Sequence, residues 1–393
     1  MGESFSTTTR TSWGQNLGKS IKGVFIGLIM FLASFVVLWV NEGRMDLSKV
    51  AVLAEEVSAD SVDAAFAGEL VSVTGNLTTT ERLGDPQFLR PGEYIALSRS
   101  AEMYAWIQDE KTETRDLPGG GTETTTTYTY RTDWTSSPQD SSSFHRPEGH
   151  QNPRMPYENR SYTVSTAKVG TWAIDPQRIS LPGRRNRVEL TDANAILGPN
   201  QKIEQNFIFI PHGETEGSLN TPKVGDVRIS FSALENNVYV TAFGEATSDG
   251  RIVSYEYAGE KKAARDKLRR DATLYHAREG SRSTAIQTLA GEHKMMLWIL
   301  RIVGFVLMWV GLQMFFGPLV TVLKVIPFLG RVGKGVVGVI TFITALVLSG
   351  FTIVIAMLAR SVIALLILLA IVVFLTIFLI SRGKKKSQEK PAA

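Results

Sequence analysis

The sequence predicts an α+β membrane protein with four transmembrane helices, one N-terminal and three C-terminal, and a large mainly-β exported domain between spans one and two. Three observations carry this expectation. Long uncharged apolar windows sit towards the two ends of a chain of 393 residues. Charge divides along the same line: residues 41–294 hold 29 Lys and Arg against 36 Asp and Glu, and the remainder holds 13 against 2. Between the windows lie β-branched, alternating stretches punctuated by Gly, Pro, Asn and Ser, the pattern of short strands and turns. The positive excess therefore belongs to the flanks and short loops. A nucleic-acid-binding module carries its excess on the folded module itself, so nucleic acid is excluded as a partner. With no Cys in the chain, disulfides, Cys-ligated metal sites and a thiol nucleophile are excluded as well.

A helical span needs roughly 20 mostly apolar residues. Residues 1–23 read as a cytoplasmic tail. Val24–Val40 is uncharged for 17 residues; Lys22 can snorkel and Trp39 suits an interface, so residues 24–40 form the first span. The large residues of the following Leu38-Trp39-Val40-Asn41-Glu42-Gly43-Arg44 do not suit a signal peptidase, which favours an uncleaved anchor over a signal peptide. Residues 41–294 form the exported domain. The second span covers 295–323, where Ile302–Leu323 is free of charge and one helix from Ser283 through Phe316 leads into the membrane. A loop at 324–334 precedes the third span at 335–359. Arg360 alone makes an outer turn, the fourth span is 361–381, and 382–393 is a basic tail. Lys and Arg in the short flanks set orientation. Arg10, Lys19 and Lys22, then Lys324, Arg331 and Lys334, then Arg382, Lys384, Lys385, Lys386 and Lys390 all fall on one side, which is read as cytoplasmic.

Within the exported domain, residues 69–80 read as a strand. Ala101–Ile107 and Thr124–Trp134 read as two arms of a hairpin around Leu117–Glu123. On the second arm Tyr128, Tyr130 and Trp134 share one face of a period-two strand. Arg160–Ser165 and Gln205–Ile210 add short strands, and Val227–Ala233 with Val238–Phe243 reads as a second hairpin. Ser136–Arg160 is a long loop, and Glu260–Leu274 turns helical and highly charged. Gly68-Glu69-Leu70 and Gly225-Asp226-Val227 open strands of similar texture.

A search for chemistry returns little. The histidines 145, 150, 212, 276 and 293 form no H-E-x-x-H pattern, and His145 and His150 with Glu148 do not supply three ligands of suitable spacing. No nucleophile elbow and no Walker motif occur. Gly333, Gly335 and Gly338 spell G-x-G-x-x-G, but they open a membrane span with no βαβ unit around them, so they are assigned to close helix packing. No cofactor, catalytic residue or metal ligand is expected. Within the spans Gln313 is the main polar residue, and Asp, Glu and His are missing, which argues against a proton-coupled transporter. Gly23 with Gly27, and Ala345 with Ser349, place small residues one turn apart. Both packing inside one bundle and contact between copies remain open for them.

Several motifs, in order, resemble the transmembrane protein 43 (LUMA) family. They are Asn41-Glu42-Gly43-Arg44 after the first span; Ala101–Trp106, with Met103, Tyr104 and Trp106; Tyr128–Trp134, ending in Trp134; Gly149–Pro153, with Gly149, His150 and Pro153; and Val224–Ser232, with Gly225 and Asp226. The resemblance covers nearly the whole chain and is weakest over 154–222 and 261–270. It implies a multipass scaffold that self-associates and organises membrane protein complexes, with membrane lipid, a second copy and other membrane proteins as partners. Eukaryotic members are described as residents of the endoplasmic reticulum and inner nuclear membrane that organise lamins and emerin. Those partners are not carried over, because the cysteine-free chain is read as a bacterial member, with residues 41–294 in the periplasm (the lumen in a eukaryotic host). Against the scaffold stands a second class, a membrane enzyme or transporter with its site in the loop Phe144–Tyr157.

Overall fold

The structure, a computed structural model, describes residues 4–213, 217–257, 272–325 and 327–359. The fourth expected span at 361–381, Arg360 and the basic tail lie outside the described residues. The chain divides into two units. One comprises Met1–Thr9, Asp46–Glu113 and Thr124–Glu292; the other comprises Arg10–Met45, Thr114–Glu123 and His293 onward.

The first unit is built on two sheets. The larger has the order β1 (Ser4–Thr11), β7 (Thr122–Thr135), β6 (Tyr94–Asp116), β14 (Val227–Glu235), β13 (Phe207–Ile210) and β12 (Lys202–Glu204). To it β8 (Arg160–Thr163) adds on β6 and β11 (Asn186–Arg187) on β14. The second has the order β10 (Trp172–Ile174), β9 (Ala167–Val169), β3 (Leu70–Thr78), β15 (Val238–Ala246) and β16 (Ile252–Val253), with β2 (Glu55–Val57) and β19 (His276–Glu279) at its flanks. Two ribbons, β4 (Leu83–Asp85) with β5 (Leu89–Gly92) and β17 (Tyr255–Tyr257) with β18 (Ala272–Leu274), complete the described strands. The alternation that predicts these strands also fills two cores. One gathers Val71, Val73, Leu77, Val169, Trp172 and Val240. The other gathers Leu97, Met103, Ile208, Val227, Ile229 and Phe231. Each such side chain contributes about 1.5–3 kcal/mol over its exposed state.

Two expectations are corrected here. Val227–Ala233 and Val238–Phe243 are strands but do not form a hairpin with each other. β14 pairs with β6 and β15 pairs with β3, so the turn at Glu235–Asn237 carries the chain from one sheet to the other. The reason is that each strand has its own core to fill: Ile229 and Phe231 join one cluster, Val240 and Ala242 the other. Secondly, the helical reading of Glu260–Leu274 fails at its end, because Ala272–Leu274 is a strand paired with Tyr255–Tyr257; the remainder lies outside the described residues.

The second unit is helical. α1 (Trp13–Glu42) starts at a capping box, in which the Gln15 amide N–H donates to Ser12 Oγ and the Ser12 N–H donates to Gln15 Oε1 at 3.1 Å. The one-turn α2 (Leu47–Ala51) follows in the first unit. α3 runs over Arg282–Phe315, α4 over Gly317–Leu323 and α5 over Pro327–Leu358. Three helices among the described residues are long and apolar enough to cross a membrane. The expected second span is interrupted: α3 ends at Phe315, and Pro318, which has no N–H to give, sits in the first turn of α4. α1 and α3 meet where side chains are smallest. A Cβ on Gly27 would lie 2.7 Å from the Gly311 carbonyl oxygen, and one on Gly304 would lie 2.5 Å from Leu38. Leu38, Met308 and Ala345 form the core of the bundle, with Phe31, Phe35, Phe305 and Trp309 around it.

The charged flanks also make specific contacts. Ser6 and Thr8 of the N-terminal tail hydrogen-bond to Thr127 and Thr125 of β7. In the helical unit Lys324 pairs with Asp116 at 2.9 Å, and Asn16 donates to Thr122 Oγ1. The tail thus contacts β7, and Lys324 contacts the tip of the β6–β7 arms.

Candidate functional site

The family-like motifs of the β unit converge on one face of β6 and β7. On β6 the odd positions Ala101, Met103 and Ala105 point into the core and are at most 1% exposed. The even positions Glu102, Tyr104, Trp106 and Gln108 take the other face, as period-two geometry requires. Tyr128, Tyr130, Thr132 and Trp134 of β7 share that face. Tyr104 bonds Thr132 through its hydroxyl at 2.8 Å and packs on Trp134 with centroids 5.4 Å apart. Arg228 lies over the Trp134 ring at 4.6 Å and pairs with Glu102 at 2.7 Å.

The loop between β7 and β8 folds over this face. His150 stacks on Tyr130 with centroids 3.9 Å apart and meets the Trp106 ring edge-on at 4.7 Å. His145 stacks on Tyr128 at 4.3 Å. Tyr130 is the hub: its hydroxyl donates to Gln108 Oε1 and accepts from the Arg146 N–H, both at 2.8 Å. Arg146 in turn lies 3.8 Å over the ring of Phe5 from β1. The loop lacks a long strand of its own here, so side-chain amides stand in for one. Asn152 accepts from the Trp106 N–H at 2.7 Å and donates to the Trp106 carbonyl at 2.9 Å, and Asn159 accepts from the Ala101 N–H at 2.8 Å. Gly149 turns the chain with φ +82°, ahead of His150. Gly225 has φ +99°, a Cβ there would collide with His212, and its N–H bonds the Tyr104 carbonyl at 2.9 Å. Buried Asp226 accepts from the His212 and Lys223 N–H groups, which fixes the entry to β14.

The structure thus brings together Tyr104, Trp106, Trp134, Gly149, His150, Gly225 and Asp226, with Pro153 one residue beyond Asn152, while Met103 lies on the core face of β6. It does not bring Asn41, Glu42, Gly43 and Arg44 to them. Those residues end α1 in the helical unit. There Asn41 donates to the Leu297 carbonyl, and Glu42 takes a two-pronged bond from Arg301 at 2.8 and 2.9 Å. Gly43 caps the helix and Arg44 donates its N–H to the Asn41 carbonyl. Of the small pairs, Gly23 and Gly27 face Met314 and Gly311 of the same chain, Ala345 is in the bundle core, and Ser349 is buried with its hydroxyl on the Leu346 carbonyl. Of the three glycines in the G-x-G-x-x-G, Gly333 packs on Leu323, whereas Gly335 and Gly338 face open space. The sequence reading missed Gln108, Asn152, Phe5 and Arg301. Asn152 stands inside a quoted motif, and Glu42 of another motif is the partner of Arg301.

A second feature is a cleft of 1180 Å³ whose walls include Thr79, Thr166, Lys168, Asp175, Arg178 and His276. One wall is braced by Glu81, whose carboxylate accepts from the hydroxyls and N–H groups of Ser165 and Thr166. Those bonds, led by the Thr166 hydroxyl, hold its pKa down to about 2. Burial, with Arg278 nearby, lowers His276 to about 4. Among the described residues no group of three His, Asp or Glu is placed to hold a metal ion.

A family model described as transmembrane protein 43 matches residues 103–362. Human transmembrane protein 43 is 27% identical over 322 residues, 78% of this chain and 77% of that protein. The rat protein of the same name is 32% identical over 228 residues, 56% of this chain and 54% of its own. A Drosophila melanogaster homolog is 24% identical over 247 residues, 60% of this chain and 62% of that one. No solved structure matches the chain.

Proposed function

We propose, from the premise that the chain belongs to the transmembrane protein 43 family, that it is a multipass membrane scaffold: a β module joined to apolar helices, which self-associates and holds other membrane proteins beside it. The observation that carries this reading is the use made of the signature residues. Trp106, Tyr130 and His150 close on one another, and His150 is 5% exposed with Nδ1 against the Arg146 carbonyl. A signature spent on shaping a surface suits a binding module better than a site that must present an acid, a base or a nucleophile.

Gly27 touches Gly311 of its own chain, so the contact between copies belongs elsewhere. The stripe Phe25, Ile29, Leu32 and Val36 follows helical spacing, is 68, 68, 55 and 62% exposed, and points away from Gly27. It is assigned to a second copy. Ile29→Cys in this Cys-free chain is expected to cross-link copy to copy in native membranes, while Ser34→Cys, buried in the bundle, is not. A protein that is strictly monomeric in native lipid overturns self-association. Sidedness has its own test: Ser6→Cys with Thr127→Cys forms a disulfide if tail and β7 share one face.

A second reading, a small-ligand site, has the cleft beside His276 in its favour, not the Phe144–Tyr157 loop, where His150 is buried and His145 stacks on Tyr128. Saturable binding of a polar ligand abolished by Arg178→Ala would favour it over the scaffold.

A further inference from the structure

Inside the helical unit a pocket of 820 Å³ is lined by Arg115 and Asp116 of the β6–β7 tip, Trp309 and Gln313 of α3, and Lys334, Gly335, Gly338 and Phe342 of α5. Its chemistry is lopsided. Asp116 is engaged by Lys324 at 2.9 Å. Arg115 shares Glu123 with Arg10 at 3.3 and 2.9 Å, so one carboxylate serves two guanidinium groups. Lys334 has no carboxylate partner among the described residues. The named ionic groups are four cations, Arg10, Arg115, Lys324 and Lys334, against two carboxylates. The exposed Gln313 amide lies within an apolar helix, where an unmet polar group is costly. Behind it the Trp309 indole N–H is buried and has no acceptor among the described residues. Donors are in excess and acceptors are short.

The pocket also has a direction. Lys334 and Phe342 are eight residues apart on α5, about 12 Å along the helix. The cationic rim and the aromatic floor of Phe342 and Trp309 therefore lie at different depths. Nothing stands within 4 Å of a Cβ placed on Gly335 or Gly338, so these glycines leave the groove open. Outside it the helix offers Val336, Ile340 and Ile343, each at least 50% exposed.

We infer that this pocket binds an anionic phospholipid, its phosphate at Lys334 and Arg115, its glycerol region against Gln313, and its acyl chains over Phe342 and the apolar face of α5. The assignment rests on α3 and α5 lying in a bilayer. It names a specific lipid contact, which a generic apolar belt does not require.

The test is native mass spectrometry of the full chain released from nanodiscs of mixed phosphatidylglycerol and phosphatidylcholine. The wild type is expected to retain phosphatidylglycerol in preference. Lys334→Ala with Arg115→Ala is expected to cut that retention about tenfold or more, the scale of one charge-assisted hydrogen bond or above. Gly338→Leu, which fills the groove and leaves the charges in place, is expected to do the same. Lys111→Ala, a cation paired with Glu113 outside the pocket, is expected to change nothing. Equal retention of the two lipids by the wild type, or undiminished preference in the double variant, overturns the assignment. Displacement by millimolar inorganic phosphate makes it a phosphate site and overturns the lipid. Loss of the wild type from carbonate-washed membranes overturns the bilayer premise instead, and is read out separately.

Discussion

The two units treat buried polarity in opposite ways. In the β unit Asp85 and Arg99 have side chains 0 and 1% exposed, yet the pair is held in a network of hydrogen bonds. Asp85 accepts from the Gln87 and Phe88 N–H groups, from Arg99 at 2.9 Å and from the Tyr162 hydroxyl at 2.7 Å. Arg99 also donates to Gln87 Oε1 and the Glu158 carbonyl. Among the described residues, the buried side-chain atoms without a partner, Asn41 Oδ1 and Trp309 Nε1, both lie in the helical unit. A strand-and-loop module has many backbone and side-chain groups at varied angles with which to satisfy an ion. A bundle of apolar helices has its backbone groups committed within each helix, so fewer groups are left to answer a buried side chain. Among the described residues, the β unit thus answers its buried ion pair from within, while the helical unit leaves two buried polar atoms unanswered.

The largest effect is expected where that network is broken. Arg99→Met strands the Asp85 carboxylate in the interior and should cost about 3–5 kcal/mol, measured as a loss of thermal stability. Arg99→Met with Asp85→Leu should recover part of the loss; equal destabilisation by both would mean the network is not the cause. In the helical unit Gly27→Ile forces a side chain into the Gly311 backbone and should cost about 1–3 kcal/mol, read as faster unfolding in detergent with the β unit's melting unchanged. Coincident loss of both transitions would show that the units are not independently stable.

Smaller effects are set by pH. His276 is lowered in the folded state, so its neutral form is favoured there. Its contribution is intact above its ordinary pKa of 6.5 and is lost as pH falls towards about 4. His276→Gln should flatten stability across that window in a melting series. Glu81 acts in the next window down. Its folded value is depressed from 4.5 to about 2, so its contribution is present above 4.5 and fades as pH falls through 2. The carboxylate is near the surface, which makes this the smallest effect. Glu81→Gln should remove the low-pH slope and leave the His276 window untouched.

The helical unit was the more legible of the two. Apolar windows of about 20 residues found α1, α3 and α5, because lipid demands long uninterrupted runs. The ends of α1 and α5 were read short, since Lys19, Lys22 and Lys334 are helical although charged. In the β unit the period-two pattern found β3, β6, β7 and β14, and placed Tyr128, Tyr130 and Trp134 on one face. It did not show which strand pairs with which, because alternation fixes a face and not a neighbour. Ser4–Thr11 was read as a tail because its Thr-rich run has no apolar side; its β-branched residues were the available sign. The aromatic site was half visible. Trp106, Trp134 and His150 stood in motifs, but the amide mimicry by Asn152 and the hub at Tyr130 come from loop geometry that no spacing encodes.

The meeting of α1 and α3 has a mechanical consequence. With backbones in contact at Gly27 and Gly311, neither helix can slide along the other without a side chain entering the gap. They can only turn about that point. Glu42 and Arg301, some 15 residues from the pivot along α1, clamp one end with two bonds, a lever of about 22 Å. A shift of about 0.5 Å at the clamp then turns the pair by only roughly 1°. A signal passing through these helices would travel as a change of crossing angle and not as a piston stroke, and the Glu42–Arg301 bond is the latch that sets its resting value.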